Sequence, residues 1–302
     1  MKKIRDNIIK TISKQDISIK DNYKLFRLLE NATSLSFFSK YKYEDTYIKL
    51  KNRKIKLRII NKNLITKGII IYVHGGGWVL GSVNSYTNFC KELSDKTKKM
   101  VLLIDYRLAP EYKYPAGLND CYDVIKLIMD NIDKLDINYK DICLMGDSAG
   151  ANLVASVSLK ASKTKEIKIY KQILIYPSLQ SDYSNETKYK SVITKGKDYF
   201  FTQSKLEEYI SLYVKNSNDL KDPYAFPLNK KIITSQPKTL IITADNDPLR
   251  DEGKKYAKRL KFWLNDVKYF NFEGAMHGFL TKIIGSKYKK RAIEKVIDFL
   301  GD

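Results

Sequence analysis

The chain has 302 residues, 43% of them hydrophobic, and its 55 lysines and arginines against 34 acidic residues give a formal charge of +21. That length and apolar content suffice for one compact core of enzyme size and argue against two independent domains. No apolar run approaches the roughly 18 residues of a membrane span, and Lys10, Lys14, Asp16 and Lys20 interrupt the start before a signal-peptide core could form, so a soluble, cytoplasmic protein is expected.

Along the chain, residues 1–45 read as helices: Ile4, Ile8 and Ile12 fall at i,i+4 spacing, and Leu25, Phe26, Leu28 and Leu29 follow a cap at Asp21. Short runs rich in β-branched residues predict strands over 47–50, 55–60, 68–73, 100–104, 142–145, 172–176, 239–243 and 267–270. Several are apolar throughout, as strands buried on both faces are, and helical periods separate many of them, so the fold class is α/β with a largely parallel sheet. A helix over 149–161 is apolar around much of its circumference. Residues 178–235 interrupt the alternation; within them Ser204-Lys205-Leu206-Glu207 reads as a capping box, ahead of a stripe of Leu206, Tyr209, Ile210, Tyr213 and Val214 expected to pack in a lid above the sheet. A last helix over 286–300 places Tyr288, Ala292, Ile293, Val296, Ile297 and Leu300 on its buried side.

The lysines are spread through the whole chain, with no basic tail, zinc-finger spacing or aromatic RNA-binding signature. A solvated basic surface follows, with no specific nucleic-acid partner and only weak adhesion to anionic surfaces at low salt. Cys90, Cys121 and Cys143 are odd in number and lack metal-ligand spacing, so they read as reduced, buried thiols, and no metal or cofactor is expected. Nothing here sets the oligomeric state.

Eight of the fourteen glycines lie in or beside three segments, and the chain's two histidines sit in two of them. Gly146-Asp147-Ser148-Ala149-Gly150 joins a predicted strand to a predicted helix, the context in which G-x-S-x-G exposes a nucleophilic serine on a sharp turn. A serine needs a base, and imidazole suits neutral pH. His277, after the last predicted strand, is the choice; His74 leads into Gly75, Gly76 and Gly77 and is expected to hold that loop in shape. Asp247 falls between serine and histidine in chain order and would orient the imidazole, with Asp245 as second candidate and Asp251 and Glu252 expected to cap or pair locally. The amides of Gly76, Gly77 and Ala149 are the expected oxyanion donors. Trp78 and the aromatic stretches at Phe37-Phe38 and Tyr199-Phe200-Phe201 are candidates to line a substrate pocket, though such side chains are more often core.

Taken together, His74-Gly-Gly-Gly-Trp78, Tyr106-Arg-Leu-Ala-Pro-Glu111, Gly146-Asp-Ser-Ala-Gly150, Asp247-Pro-Leu-Arg-Asp-Glu-Gly253 and His277-Gly-Phe279 resemble the hormone-sensitive-lipase-like, or family IV, esterases of the α/β-hydrolase superfamily. The resemblance spans roughly residues 65–300. It implies an eight-stranded, mostly parallel sheet flanked by helices, with N-terminal cap helices over 1–45, a cap insertion over 178–235 and a core split between 46–177 and 236–302. By motif position it puts the nucleophile on Ser148, the acid on Asp247, the base on His277 and the oxyanion donors on Gly76, Gly77 and Ala149. Ala151 stands where the family usually has a further glycine. Asp147, Arg107 and Glu111 read as structural. The implied reaction is hydrolysis of short- to medium-chain acyl esters of small molecules, the alternatives being a deacetylase or amidase and a non-catalytic ligand-binding relative.

Overall fold

The computed structural model describes residues 17–35, 43–135, 137–197, 201–281 and 286–301. Eight strands form one sheet in the order β1-β2-β4-β3-β5-β6-β7-β8. β1 (Tyr43–Leu50) and β2 (Arg53–Ile60) make an antiparallel hairpin, and β2 also runs antiparallel to β4 (Met100–Asp105). From β4 onward the sheet is parallel through β3 (Ile69–Val73), β5 (Ile142–Asp147), β6 (Lys171–Ile175), β7 (Lys238–Asn246) and β8 (Val267–Met276). Each strand expected from the sequence is present.

The central strands divide their side chains by the two-residue period of a pleated strand. In β3, Ile69, Ile71 and Val73 join one apolar cluster and Ile70 and Tyr72 the other. The first cluster is closed by α3 (Ala116–Asp130), α4 (Ala149–Thr164) and α7 (Arg250–Phe262), and the second by α2 (Val83–Thr97) and α8 (Ser286–Gly301). Covering both faces explains why these strands read as unbroken apolar runs.

Three helices differ from expectation. α1 (Ile19–Leu35) is capped by Ser18, whose Oγ accepts from the Asp21 amide at 3.2 Å, so Asp21 lies inside the first turn. Ile19, Tyr23 and Phe26 meet the core, which turns Leu25, Leu28 and Leu29 outward. Ile4, Ile8 and Ile12 lie outside the described residues. After the short α5 (Lys190–Lys195), α6 (Gln203–Tyr213) starts from Thr202, whose hydroxyl accepts from the Lys205 amide at 3.3 Å, so Ser204 is already helical and no capping box forms there. Its stripe of Leu206, Tyr209, Ile210 and Tyr213, continued by Val214, is buried as expected. In α8 the buried side is Ala292, Ile293, Val296 and Phe299; Ile297, about 100° around the helix from Val296, is 40% exposed.

The three cysteines are free and buried. Among the described residues, no helix is long and apolar enough to cross a membrane.

Candidate active site

Ser148 lies between β5 and α4 with φ 55° and ψ −122°, a conformation costing a non-glycine residue about 1–3 kcal/mol. Three backbone hydrogen bonds hold it there. Its amide donates to the Ile175 carbonyl on β6 at 2.9 Å, and its own carbonyl accepts from Asn152 at 3.1 Å and Ser178 at 3.3 Å. The turn packs so closely on β3 that a Cβ at Gly150 would strike the Val73 and His74 carbonyls, so only glycine fits.

Two strand ends bring the partners. His277 follows β8, and its Nε2 lies 3.0 Å from Ser148 Oγ. Asp247 follows β7, and its Oδ2 lies 2.8 Å from His277 Nδ1 while Oδ1 accepts the Leu249 amide at 2.9 Å. An ionised carboxylate only accepts, so Nδ1 carries the proton and Nε2 is left to accept from the serine. The group is nearly closed to solvent: Ser148 is 6% exposed and Asp247 fully buried.

Beneath the serine, the buried Asp147 carboxylate gathers four donors. Its Oδ1 accepts from Tyr72 OH at 2.9 Å and the Gly75 amide at 3.0 Å, and its Oδ2 from Tyr86 OH at 2.9 Å and Tyr176 OH at 3.2 Å. Burial still pushes its carboxyl above the usual range, against those hydrogen bonds and the nearby His277. Burial also drives the three phenols well up, which keeps them donors. Tyr176 packs on the His277 ring at 4.7 Å as well, so one side chain touches both the turn and the imidazole. None of the three tyrosines was singled out from sequence, because a core tyrosine beside a strand carries no distinguishing pattern.

His74 is buried, stacked on Tyr106 at 4.4 Å, with Nδ1 2.8 Å from the Gly75 carbonyl. Burial lowers its pKa, which favours the neutral ring. Beyond it, Gly77 has φ +61°, and a Cβ there would meet the Tyr209 ring from α6. Among the described residues no acceptor is bonded to the amides of Gly76, Gly77 or Ala149. Trp78 is buried, stacked face to face on Tyr213 at 4.2 Å, with Nε1 3.3 Å from Asn152 Oδ1. Side chains of α1 reach the same loop: Arg27 donates to the Val79 carbonyl at 2.7 Å and the Ala109 carbonyl at 2.6 Å, and Glu30 accepts the Gly81 amide at 3.0 Å. Phe201 lies flat on His277, with ring centroids 4.0 Å apart and planes 11° from parallel. Phe37, Phe38, Tyr199 and Phe200 fall outside the described residues.

The remaining acids stand apart from the histidine. Asp245 pairs with Arg250 at 3.2 Å, and Asp251 takes Arg250 at 3.0 Å and the Ser191 amide at 2.9 Å. Glu252, expected to pair locally, instead reaches across the fold, its Oε1 accepting from the Leu179 amide and from Tyr183 OH at 3.0 Å. Arg107 makes a bidentate pair with buried Asp120, and Glu111 pairs with Arg27. Among the described residues, no cluster of histidine, cysteine and acidic side chains could hold a metal ion.

Residues 70–281 match the family model described as alpha/beta hydrolase fold. An arylesterase of Saccharolobus solfataricus is 34% identical over 258 residues, 85% of this chain and 81% of the relative. An ethyl acetate hydrolase of Pseudomonas putida is 27% identical over 212 residues, 70% of this chain and 65% of the relative. Among solved structures, a hyperthermophilic esterase from the archaeon Pyrobaculum calidifontis superposes with a TM-score of 0.87 at 29% identity, covering 98% of this chain and 96% of that one. The chain therefore belongs to the α/β-hydrolase fold family, among its hormone-sensitive-lipase-like (family IV) esterases, and is a carboxylic ester hydrolase.

Proposed function

We propose that the protein is a serine esterase that cleaves short- to medium-chain acyl esters through an acyl intermediate on Ser148. The observation that carries this is the unbroken line from Ser148 Oγ through the His277 ring to Asp247, with contacts of 3.0 and 2.8 Å. His277 Nε2 takes the hydroxyl proton as Oγ attacks the acyl carbon. The carbonyl oxygen becomes an oxyanion held by the Gly76, Gly77 and Ala149 amides, which have no acceptor among the described residues and are thereby suited to it. As the tetrahedral centre collapses, the C–O bond to the alcohol breaks and the imidazolium returns its proton to the leaving oxygen. Water then repeats the sequence on the acyl-enzyme, releasing the acid and restoring Ser148. Asp247 fixes the tautomer and stabilises the imidazolium without itself taking the proton.

Residues 1–45 and 178–235 serve in this reading as the cap over a core made of 46–177 and 236–302. Supporting it, the Glu208 carboxylate of α6 accepts from the Lys20 amide of α1 at 3.0 Å, and Tyr209 and Tyr213 of the same helix press on the glycine loop. Phe201 and the near-complete burial of Ser148 favour small acyl groups, and the names of the two relatives favour simple acetate and aryl esters. The test is a p-nitrophenyl ester series from acetate to laurate with wild type and Ser148→Ala. Turnover that peaks at short chains and vanishes in the variant is expected. Undiminished turnover in Ser148→Ala would remove the nucleophile, and a peak at laurate would remove the chain-length reading.

A further inference from the structure

Far from the serine, the end of α7 presents large apolar side chains to solvent. Phe262 is 77% exposed, Leu264 95% and Ile232 55%. They form one patch, because the segment carrying Ile232 is laced to the helix end. Trp263 Nε1 donates to the Lys231 carbonyl at 3.1 Å, and Asn265 Nδ2 donates to the Ile233 carbonyl at 2.6 Å. Phe262 and Trp263 meet edge to face at 5.4 Å.

Leu264 gains nothing for the fold where it stands. It occupies the left-handed position that ends a helix, with φ 58°, its amide bonded to the Lys261 carbonyl at 2.9 Å and the next amide to Leu260 at 3.1 Å. Glycine or asparagine takes that position without strain, and a leucine there adds exposed apolar area besides. The surroundings are basic. From 254 to 264 the chain carries Lys254, Lys255, Lys258, Arg259 and Lys261 and no acid, with Arg259 donating to the Leu228 and Lys230 carbonyls, and Lys230 and Lys231 directly precede Ile232. Asp266, two residues past Leu264, lies 3.7 Å from Lys238.

We propose that this patch docks the enzyme on an anionic phospholipid surface. Phe262, Leu264 and Ile232 would enter the headgroup boundary, and the lysines near them would meet lipid phosphates. Aromatic and leucine side chains ringed by lysine match that boundary in both polarity and charge. The patch precedes β7 and β8 whereas Asp247 and His277 follow them, so ten residues of β8 separate the two, on the order of 30 Å. Docking therefore leaves the serine facing away from the membrane, open to dissolved esters.

The test is cosedimentation with vesicles of phosphatidylcholine, with and without phosphatidylglycerol, at about 0.15 M salt, where weak surface attraction is screened. Wild type is expected on the phosphatidylglycerol vesicles. Phe262→Ser/Leu264→Gly and Lys231→Glu/Lys261→Glu should each weaken that binding by about tenfold or more. Both variants should hydrolyse soluble p-nitrophenyl acetate at the wild-type rate, and Leu264→Gly alone should not lower the Tm. Absence of wild-type binding at this salt, or equal binding by either double variant, would overturn the proposal. So would a wild-type dimer, seen by sedimentation velocity, that the Phe262→Ser/Leu264→Gly variant dissolves, since a second copy would then own the patch.

Discussion

The serine turn and the glycine loop adjoin, the Gly75 amide donating to Asp147, but are held in different ways. The turn is fixed by backbone hydrogen bonds within the sheet and by the Asp147 carboxylate among three core tyrosines. The glycine loop is gripped from outside the sheet, by Arg27 and Glu30 of α1 and by Tyr209 and Tyr213 of α6. In the proposed reaction, positioning of Ser148 and of the Ala149 amide thus belongs to the core, whereas positioning of the Gly76 and Gly77 amides depends on α1 and α6. A change in those helices can alter catalysis while the nucleophile keeps its place.

Breaking the core side should have the largest effect. Asp147→Ala leaves Tyr72, Tyr86, Tyr176 and Gly75 without their acceptor, and buried donors left unpaired cost about 1–3 kcal/mol each. Urea unfolding should show a loss of about 3 kcal/mol or more, with activity falling alongside; a loss under about 1 kcal/mol would mean that the turn does not rely on this carboxylate. On the loop side, Gly77→Ala should lower kcat by about 10²–10³ with the fold intact, the usual cost of one lost oxyanion donor. Adding Tyr209→Ala to it should restore part of the rate, because the new methyl would otherwise meet that ring. Arg27→Ala frees the Val79 carbonyl of the loop and the Ala109 carbonyl of the segment beside it, and should reduce kcat/KM by about tenfold for about 1 kcal/mol of stability. Unchanged kcat/KM there would show that the loop keeps its form without α1.

Glu252→Gln should touch neither region directly and so separates pH effects on stability from those on catalysis. Burial drives the Glu252 carboxyl well up, so the folded state favours its protonated form. The stability from that preference is full below the ordinary glutamate pKa of about 4.3 and is lost as pH rises toward the folded value, by up to about 1.4 kcal/mol per unit. Glutamine does not titrate, so Tm measured from pH 5 to 8 should shift in favour of the variant as pH rises. The pH profile of kcat/KM should be the same in both proteins.

The parts of this arrangement legible in the sequence are those whose signal is local. The strands stand out as β-branched runs, and Ser148, Asp247 and His277 each sit just past one of them, where parallel sheets gather their chemistry. What escaped depends on distant contacts. The three tyrosines around Asp147 look like any core aromatics until the fold converges them. Glu252 reads as pairing locally because its partner, the Leu179 amide, lies 73 residues away. The outward leucines of α1 follow from which side of that helix Ile19, Tyr23 and Phe26 commit to the core, a choice periodicity alone leaves open. The same holds for Ile297, whose place on the buried side goes to Phe299.

The central claim, that Ser148 is an activated nucleophile, is tested most directly by a fluorophosphonate, which reacts irreversibly with such a serine. Mass spectrometry of the treated protein and of its tryptic peptides should show one adduct per chain, on the peptide bearing Ser148. Activity should be lost in step with labelling, and Ser148→Ala should take up no reagent. Labelling at another residue, or a chain that stays unlabelled while still hydrolysing p-nitrophenyl acetate, would contradict the account.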